Sequence, residues 1–315
     1  MPDLISAMAG ALADYSKGDI NQPVRTVLEV GPQRAYYGVM PAARVDAEGR
    51  GAMGAKLVTM YSANHAKGLP SHLATIILLD AETGALVALV DGRYITEART
   101  AAVSAVSVDR LARADARTLA IIGSGVQARS HLEAIRHVRS IDAVRVWSPN
   151  KNNREAFAKE MTASAGMPVW SAEDAASAVM DADIVVLATA SPDPVVTREQ
   201  IAPGTHICAV GACRPTQREM PGSLVAAATV IVDSRAGALV EAGDLVLPIA
   251  EGVFTERHIV GELGEVILGR CEGRAHEDDI TVFKSLGMAV EDVVAAQLAV
   301  DRAIAEGLGQ QFSLQ

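Results

Sequence analysis

The sequence predicts an α/β protein in which a doubly wound parallel sheet is inserted in a smaller α+β domain. Three observations carry this. From residue 117 onward, short apolar runs alternate with helix-compatible segments, the pattern of βαβ units. Residues 55–91 instead hold three closely spaced apolar runs, as in antiparallel strands. The end of the chain, about 285–306, is a long helix-compatible segment with mixed faces, suited to packing back onto the first domain. The predicted bounds are 1–112 plus 288–315 for the discontinuous domain and 113–287 for the inserted one.

In order, AKLVTMY, LATIILL and ALVALVD read as strands, the last two joined by Asp80-Ala-Glu-Thr-Gly84, a Gly-containing link that fits a hairpin. Residues 96–113 lack Gly and Pro and are Ala-rich, which predicts one helix. Strands follow at 118–122, 143–147, 183–189, 205–210 and 229–233. Ser171-Ala-Glu-Asp174 resembles a capping box opening one of the intervening helices.

Composition supports the sheet and narrows the function. Half of the 315 residues are apolar but only 3% are aromatic, so aliphatic side chains fill the core, as in buried parallel sheets. The formal net charge of −10 argues against a nucleic-acid partner, which needs a basic surface. Cys208, Cys213 and Cys271 show no metal spacing and read as reduced thiols of a cytoplasmic protein. No apolar run approaches the roughly 20 residues of a membrane span. No signal peptide is read at the start, and no metal site is expected.

The richest stretch is 117–151. An apolar run, Leu119–Ile122, meets Gly123-Ser124-Gly125-Val126-Gln127-Ala128, followed by an amphipathic segment and a second apolar run. Strand, glycine turn, helix and strand in this order seat a dinucleotide pyrophosphate on a helix N-terminus. Gly123 permits the tight turn, Gly125 lets backbone approach phosphate, and Ala128 is small enough for close helix–sheet packing. The inserted domain is therefore read as Rossmann-type. An NAD enzyme often places an acid after the second strand. Here Ser148-Pro149-Asn150-Lys151 stands there. Ser148, Asn150 and Lys151 are candidate donors to a 2′-phosphate, which favours NADP over NAD; the competing reading leaves Lys151 facing solvent.

Several stretches in preserved order, among them PVRTVLEV, YYGVMPA, AKLVTMY, LPSHLATIILLD, ITEARTAAVSAVS, IIGSGVQARSHLEAI, AVGACRPTQREM, GELGEVILG and DITVFKSLGMAVEDVVAAQL, resemble the ornithine cyclodeaminase/mu-crystallin family. The resemblance runs from about residue 22 to 300. It implies a homodimer whose first domain supplies both interface and substrate pocket, a nicotinamide cofactor, and amino- or imino-acid substrates. It implies that Arg25, Lys56 and Arg99 are basic pocket residues, with Met40 as a wall. It further places Ser71, His72, Arg99 and Thr100 near the cofactor, and Ser285 near the nicotinamide. Thr189 and Val210, at strand ends, join the cofactor candidates. Physically, a guanidinium pairs with an α-carboxylate through two parallel bonds, and a desolvated lysine exchanges protons near neutral pH. The alternatives are surface arginines for Arg25 and Arg99, an outward-facing strand residue for Lys56, and a structural histidine for His72.

One departure directs the chemistry. Ornithine cyclodeaminases carry an aspartate just after the AVG strand end, where this chain has Cys213. Cyclodeamination needs a base there, and a thiol with an ordinary pKa near ~8.5 is a poor one. The GA-x-RP-x-x-RE form resembles the ketimine-reductase branch. Cys213 reads as a small wall residue of the substrate pocket rather than a nucleophile. The expected activity is an NAD(P)H-dependent imine reductase, reversible as an amino-acid dehydrogenase, with Lys56 and Arg99 as its catalytic residues. Cyclic ketimines, iminosuccinate and alanine-type imines all remain open as substrates, and His65, Lys67 and Arg214 stay open as contacts to a second carboxylate. The alternatives are a cyclodeaminase-type ammonia lyase and a non-catalytic small-ligand binder.

Overall fold

Two sheets of opposite character organise the chain. The computed structural model describes residues 1–32, 35–45 and 51–313, the side chain of His65 lying outside that description. The chain divides into two compact units, Met1–Ser16 with Thr100–Gly287, and Lys17–Arg99 with Met288–Gln315. These bounds differ from those read in the sequence. The first sixteen residues and the second half of a long helix group with the parallel sheet rather than with the antiparallel one.

The smaller unit is built on an antiparallel sheet of β1 (Ile20–Asn21), β2 (Thr26–Val30), β3 (Ala35–Val45), β4 (Gly51–Met60), β5 (His72–Leu79) and β6 (Leu86–Asp91). Its path is β1-β3-β4-β5-β6, with β2 also on β3. The β5–β6 hairpin is closed by Asp80, whose carboxylate accepts the Thr83 N–H at 2.7 Å. Alternation is strict in β4: Ala52, Gly54, Lys56 and Val58 are buried and their neighbours are not. A period of two puts these four on one face.

In the larger unit lie β7 (Thr118–Ile122), β8 (Ala143–Trp147), β9 (Val169–Ser171), β10 (Ile184–Leu187), β11 (His206–Ala209), β12 (Thr229–Val232), β13 (Ile259–Glu262) and β14 (Thr281–Lys284). Their order is β13-β12-β14-β11-β10-β7-β8-β9, every pair parallel. Leu119–Ile122 and Ile184–Leu187 are buried throughout, because helices cover both faces of a parallel sheet. One apolar cluster contains Ile122, Val185 and Leu224; another contains Ile121, Leu132 and Phe157. Three of these strands, β9, β13 and β14, are absent from the sequence reading.

The helices are α1 (Pro2–Lys17), α2 (Gly92–Leu111), α3 (Val126–Ile135), α4 (Lys151–Ala165), α5 (Ala175–Val179), α6 (Gly222–Ala226), α7 (Arg235–Glu241), α8 (Gly243–Ala250), α9 (Leu263–Ile267) and α10 (Ala289–Ala305). Helix α1 is tied to the larger unit by Tyr15 Oη to Ser234 Oγ (2.8 Å) and Ser16 Oγ to Glu262 (2.8 Å). The cap expected at Ser171 lies instead at Asp174, which exchanges capping-box bonds with Ser177. Residues 171–173 are not helical because Ser171 still belongs to β9.

Two buried histidines brace the larger unit. His131 on α3 bonds the Gln127 carbonyl (2.7 Å) and Ser104 Oγ (2.9 Å). His206 bonds Ser107 (3.1 Å) and Thr281 (2.9 Å). Burial lowers their pKa values to about 4 and about 3, so the folded chain keeps both neutral. As pH falls below the unfolded value near 6.5, the unfolded chain takes up protons first. Stability is therefore expected to decline between pH 6.5 and 4, read as a falling urea midpoint, and His206→Gln should flatten that decline. An unchanged slope in the variant would remove His206 as a cause.

Candidate active site

Two groups of candidate residues assemble, one in each unit. In the smaller unit, Lys56 and Arg99 are 2% and 3% exposed. Lys56 lies on the buried face of β4, opposite Met40 of β3 and Ile76 of β5 in register. Helix α10 packs against β3, β4 and β5 and brings two carboxylates. Asp292 lies 2.6 Å from Lys56 Nζ and 2.8 Å from Arg99 Nε, while Glu291 lies 2.7 Å from Arg99 Nη1. Lys56 also donates to Thr96 Oγ1 (3.4 Å), whose hydroxyl is itself bonded to the Gly92 carbonyl (2.7 Å). The surface alternatives for Lys56 and Arg99 do not hold, since neither faces water.

The electrostatics follow from burial and crowding. Burial lowers the Lys56 pKa, Asp292 opposes this, and Arg99 and Arg25 add to it, leaving the group at about 8. Burial pushes Asp292 upward, but the Arg99 and Lys56 charges outweigh it and hold the carboxyl below its ordinary range. Arg25, half-buried just before β2, contributes through its field at Lys56. His72 opens β5; burial, then Lys56 and Arg99, lowers its pKa to about 4, so it is neutral at pH 7. Ser71 is half-buried beside it, its carbonyl accepting the Tyr61 N–H at 2.8 Å. Met40 is buried.

In the larger unit, parallel register aligns the strand ends. Ile122 pairs with Trp147 and Leu187, Leu187 with Ala209, and Ala209 with Lys284. The next residues, Gly123, Ser148, Ala188, Val210 and Ser285, with Thr189 one step further, therefore gather at the carboxyl edge of the sheet, where doubly wound folds bind ligands. Gly123 has φ +121°, and a Cβ there would collide with the Ala188 carbonyl oxygen, so only glycine fits. Gly125 precedes α3, has open space where a Cβ would point, and gives the helix no side-chain cap. The first amides of α3, from Val126 and Gln127, are thus presented by bare backbone. Gln127 Oε1 is buried with no hydrogen-bond partner among the described residues. This cradle fits a dinucleotide pyrophosphate. Ser124 Oγ meets Ser148 Oγ at 2.9 Å. Asn150 caps α4, and Lys151 is 72% exposed, 3.7 Å from Glu155. Thr100 lies on α2, half-buried.

The sequence reading missed the groups that fix this edge. The buried Glu219 carboxylate accepts Thr189 N–H and Oγ1 (both 2.7 Å), Gly211 N–H (2.7 Å) and Ala212 N–H (3.1 Å). Lys284 donates to the Ala212 carbonyl (2.6 Å) and pairs with Asp244 (3.0 Å). Asp244 in turn accepts the Glu219 and Met220 amides. Asp233 accepts the Leu286 and Gly287 amides, at 2.6 and 2.7 Å. A lysine inside the apolar run ITVFK and the acid of Arg218-Glu219 were the available signals. Cys213, exposed, directs Sγ to the Val210 carbonyl at 3.4 Å.

A Rossmann-type sheet with a bare-backbone phosphate turn, joined in one chain to an antiparallel sheet that buries a lysine and an arginine against two acids, defines an α/β protein of the dinucleotide-binding class. The chain belongs to the ornithine cyclodeaminase/mu-crystallin family, whose profile matches residues 1–307. It is 42% identical to the ketimine reductase mu-crystallin of Mus musculus over 301 residues, 95% of this chain and 91% of that one. It is 37% identical to the Δ1-pyrroline-2-carboxylate reductase of Bacillus cereus over 313 residues, 99% of this chain and 95% of that one. The structure of Thermococcus litoralis Δ1-pyrroline-2-carboxylate reductase, in complex with NADH and L-proline, superposes with a TM-score of 0.95 at 39% identity, covering 99% and 96% of the two chains.

Removing one partner of a buried ion cluster leaves an uncompensated charge. Asp292→Ala is expected to cost roughly 3–5 kcal/mol in equilibrium urea denaturation. A loss under about 1 kcal/mol would mean that Lys56 and Arg99 do not depend on this carboxylate.

Proposed function

We propose that the chain is a nicotinamide-dependent imine reductase acting on a small imino acid, reversible as an amino-acid dehydrogenase. The observation that carries this is the buried Lys56–Asp292–Arg99 cluster, within a family whose similar members are ketimine and pyrroline-2-carboxylate reductases. Arg99 and Arg25 bind and orient the substrate carboxylate. Lys56 holds its proton beside Asp292 and gives it to the imine nitrogen, which makes the imine carbon electrophilic. When bound, the reduced nicotinamide supplies the hydride. Gly123, Gly125 and the first amides of α3 hold the pyrophosphate. Thr189, Val210 and Ser285 line the edge where the nicotinamide half would lie. Cys213 forms a small wall there and offers no carboxylate for deaminating cyclisation. The absence of an acid at Ser148–Lys151 supports NADP as the preferred cofactor.

The antiparallel-sheet region supports two roles, substrate binding and dimerisation. The face of its sheet opposite Lys56 is apolar yet exposed: Leu73, Val87 and Leu89 are 42%, 46% and 50% exposed, and Leu57 and Thr75 line the same shallow groove. Such a patch is a liability on a monomer. We take its occupant to be a second copy. Among the described residues no helix is long and apolar enough to cross a membrane, and three free thiols support a cytoplasmic location.

Two experiments test these readings. Cofactor oxidation should follow addition of Δ1-pyrroline-2-carboxylate or Δ1-piperideine-2-carboxylate. With protonated Lys56 as the acid, kcat/KM should hold below pH 8 and fall as pH rises through about 8. Lys56→Met should lower kcat by about 100- to 10,000-fold while cofactor Kd stays within twofold. Ammonia release from ornithine without net cofactor turnover would replace reduction by cyclodeamination. Separately, sedimentation velocity should show a dimer for the natural chain and a monomer for Leu89→Lys; a variant that stays dimeric would clear this face of the role.

A further inference from the structure

We propose that Arg154, one turn into α4, is the residue that recognises the ribose 2′-phosphate of the cofactor. This rests on the NADP reading above and names the group that would enforce it. The carboxyl end of β8 is where a dinucleotide fold reads the ribose. Of the groups the sequence offers there, most are committed or remote. The Asn150 side chain is held by Oδ1 accepting the Asn153 amide at 3.2 Å, and its NH2 is an uncharged donor. Lys151 stands in solvent beside Glu155. Arg129 is saturated: it chelates Glu160 through Nε and Nη2, donates Nη1 to the Ser124 and Gly125 carbonyls, and lies 5.2 Å over the Phe157 ring.

Arg154 differs. Its Nη1 donates to the Ser148 carbonyl at 2.8 Å, and its Nη2 to the Glu173 carbonyl at 3.4 Å. These bonds hold the guanidinium at the strand end without neutralising it, since both acceptors are uncharged. Its Nε is buried and has no hydrogen-bond partner among the described residues. With Nε shut in and one N–H of each terminal nitrogen used, one N–H on Nη1 and one on Nη2 remain, a planar, permanently charged pair suited to a phosphate dianion. The Ser124 and Ser148 hydroxyls, paired with each other, lie at the same strand end and have at most one further proton to donate. A ribose 2′-hydroxyl would instead want an acceptor carboxylate. Residues 148–151 contain none, and Glu155 is engaged by Lys151.

The test uses adenosine 2′,5′-bisphosphate and AMP as probes, which differ at this one phosphate and undergo no turnover. Titration calorimetry on the natural chain should give a Kd at least tenfold lower for the bisphosphate. Arg154→Gln should weaken the bisphosphate about 10- to 100-fold and leave AMP within twofold; Arg154→Lys should fall between, keeping charge without the fork. Equal losses for both probes in Arg154→Gln, or full bisphosphate affinity in that variant, would overturn the role of Arg154 while leaving the NADP reading intact. Equal affinity for both probes in the natural chain would overturn the NADP reading itself, and Arg154 with it. Should Arg154→Gln fail to fold, Arg154→Lys decides alone: unchanged affinity for both probes, or equal losses for both, rejects the fork.

Discussion

A single carboxylate, that of Asp292, stands between two buried cations, and the smaller unit is arranged around that fact. A lysine and an arginine cannot enter an apolar interior without compensating charge. Asp292 is shared by Lys56 and Arg99, and Glu291 pairs with Nη1 of Arg99. Both acids lie in the first turn of α10, so one helix end completes the electrostatics of a sheet formed some two hundred residues earlier. The compensation is incomplete at Lys56, where burial and the neighbouring arginines leave the ammonium with a pKa of about 8. An imine needs such a group: charged at neutral pH, yet willing to give up its proton.

The larger unit solves a different problem with the same device. Five strand ends in parallel register would leave loose turns at the edge of the sheet. Glu219 gathers four donors from the ends of β10 and β11, and Lys284 and Asp244 close the ring from β14 and α8. Glu219, Asp244 and Lys284 are all buried, so each must be met by a partner, because an unpaired buried charge would be costly. The backbone on either side of Thr189 and Val210 is thereby held, and a cofactor seated there would meet a rigid floor.

Much of this was legible in the sequence and some of it was not. The strand–turn–helix–strand at 117–151, the Asp80 hairpin and the C-terminal helix were visible because their signals are local: glycine at forced φ, periodicity, turn chemistry. Position in the sheet was less accessible. Strand β14 lies between β11 and β12, and no local pattern announces an insertion of that kind. The acids were missed for a related reason. Glu291 and Asp292 look like ordinary first-turn helix acids, and their partner Arg99 is more than 190 residues away. For Lys56 the sequence favoured a pocket over an outward polar position, and the alternation of β4 puts it on the same buried face as Val58. Arg154 left no trace at all, since its significance depends on what Asn150, Lys151 and Arg129 are already doing.

The residue at 213 shows how the two arrangements divide the chemistry. Cyclodeamination asks for more than one proton-handling group, because two substrate nitrogens change protonation during oxidation and ring closure. Carboxylates are plentiful at this edge, but Glu219 accepts four hydrogen bonds and Asp244 accepts two and an ion pair. The four acceptor sites of Glu219 are all filled, and Asp244 is held by two main-chain amides and the Lys284 ammonium, so both act as structural acceptors. Cys213, an exposed residue of that loop, directs Sγ to a main-chain carbonyl and carries no carboxylate. With Glu219 committed to main-chain and hydroxyl donors and Asp244 paired to Lys284, the edge provides a floor, and the proposed reductase reading assigns proton delivery to Lys56. One proton and one hydride are what the reduction of a C=N bond consumes, and a site with one acid suffices for it.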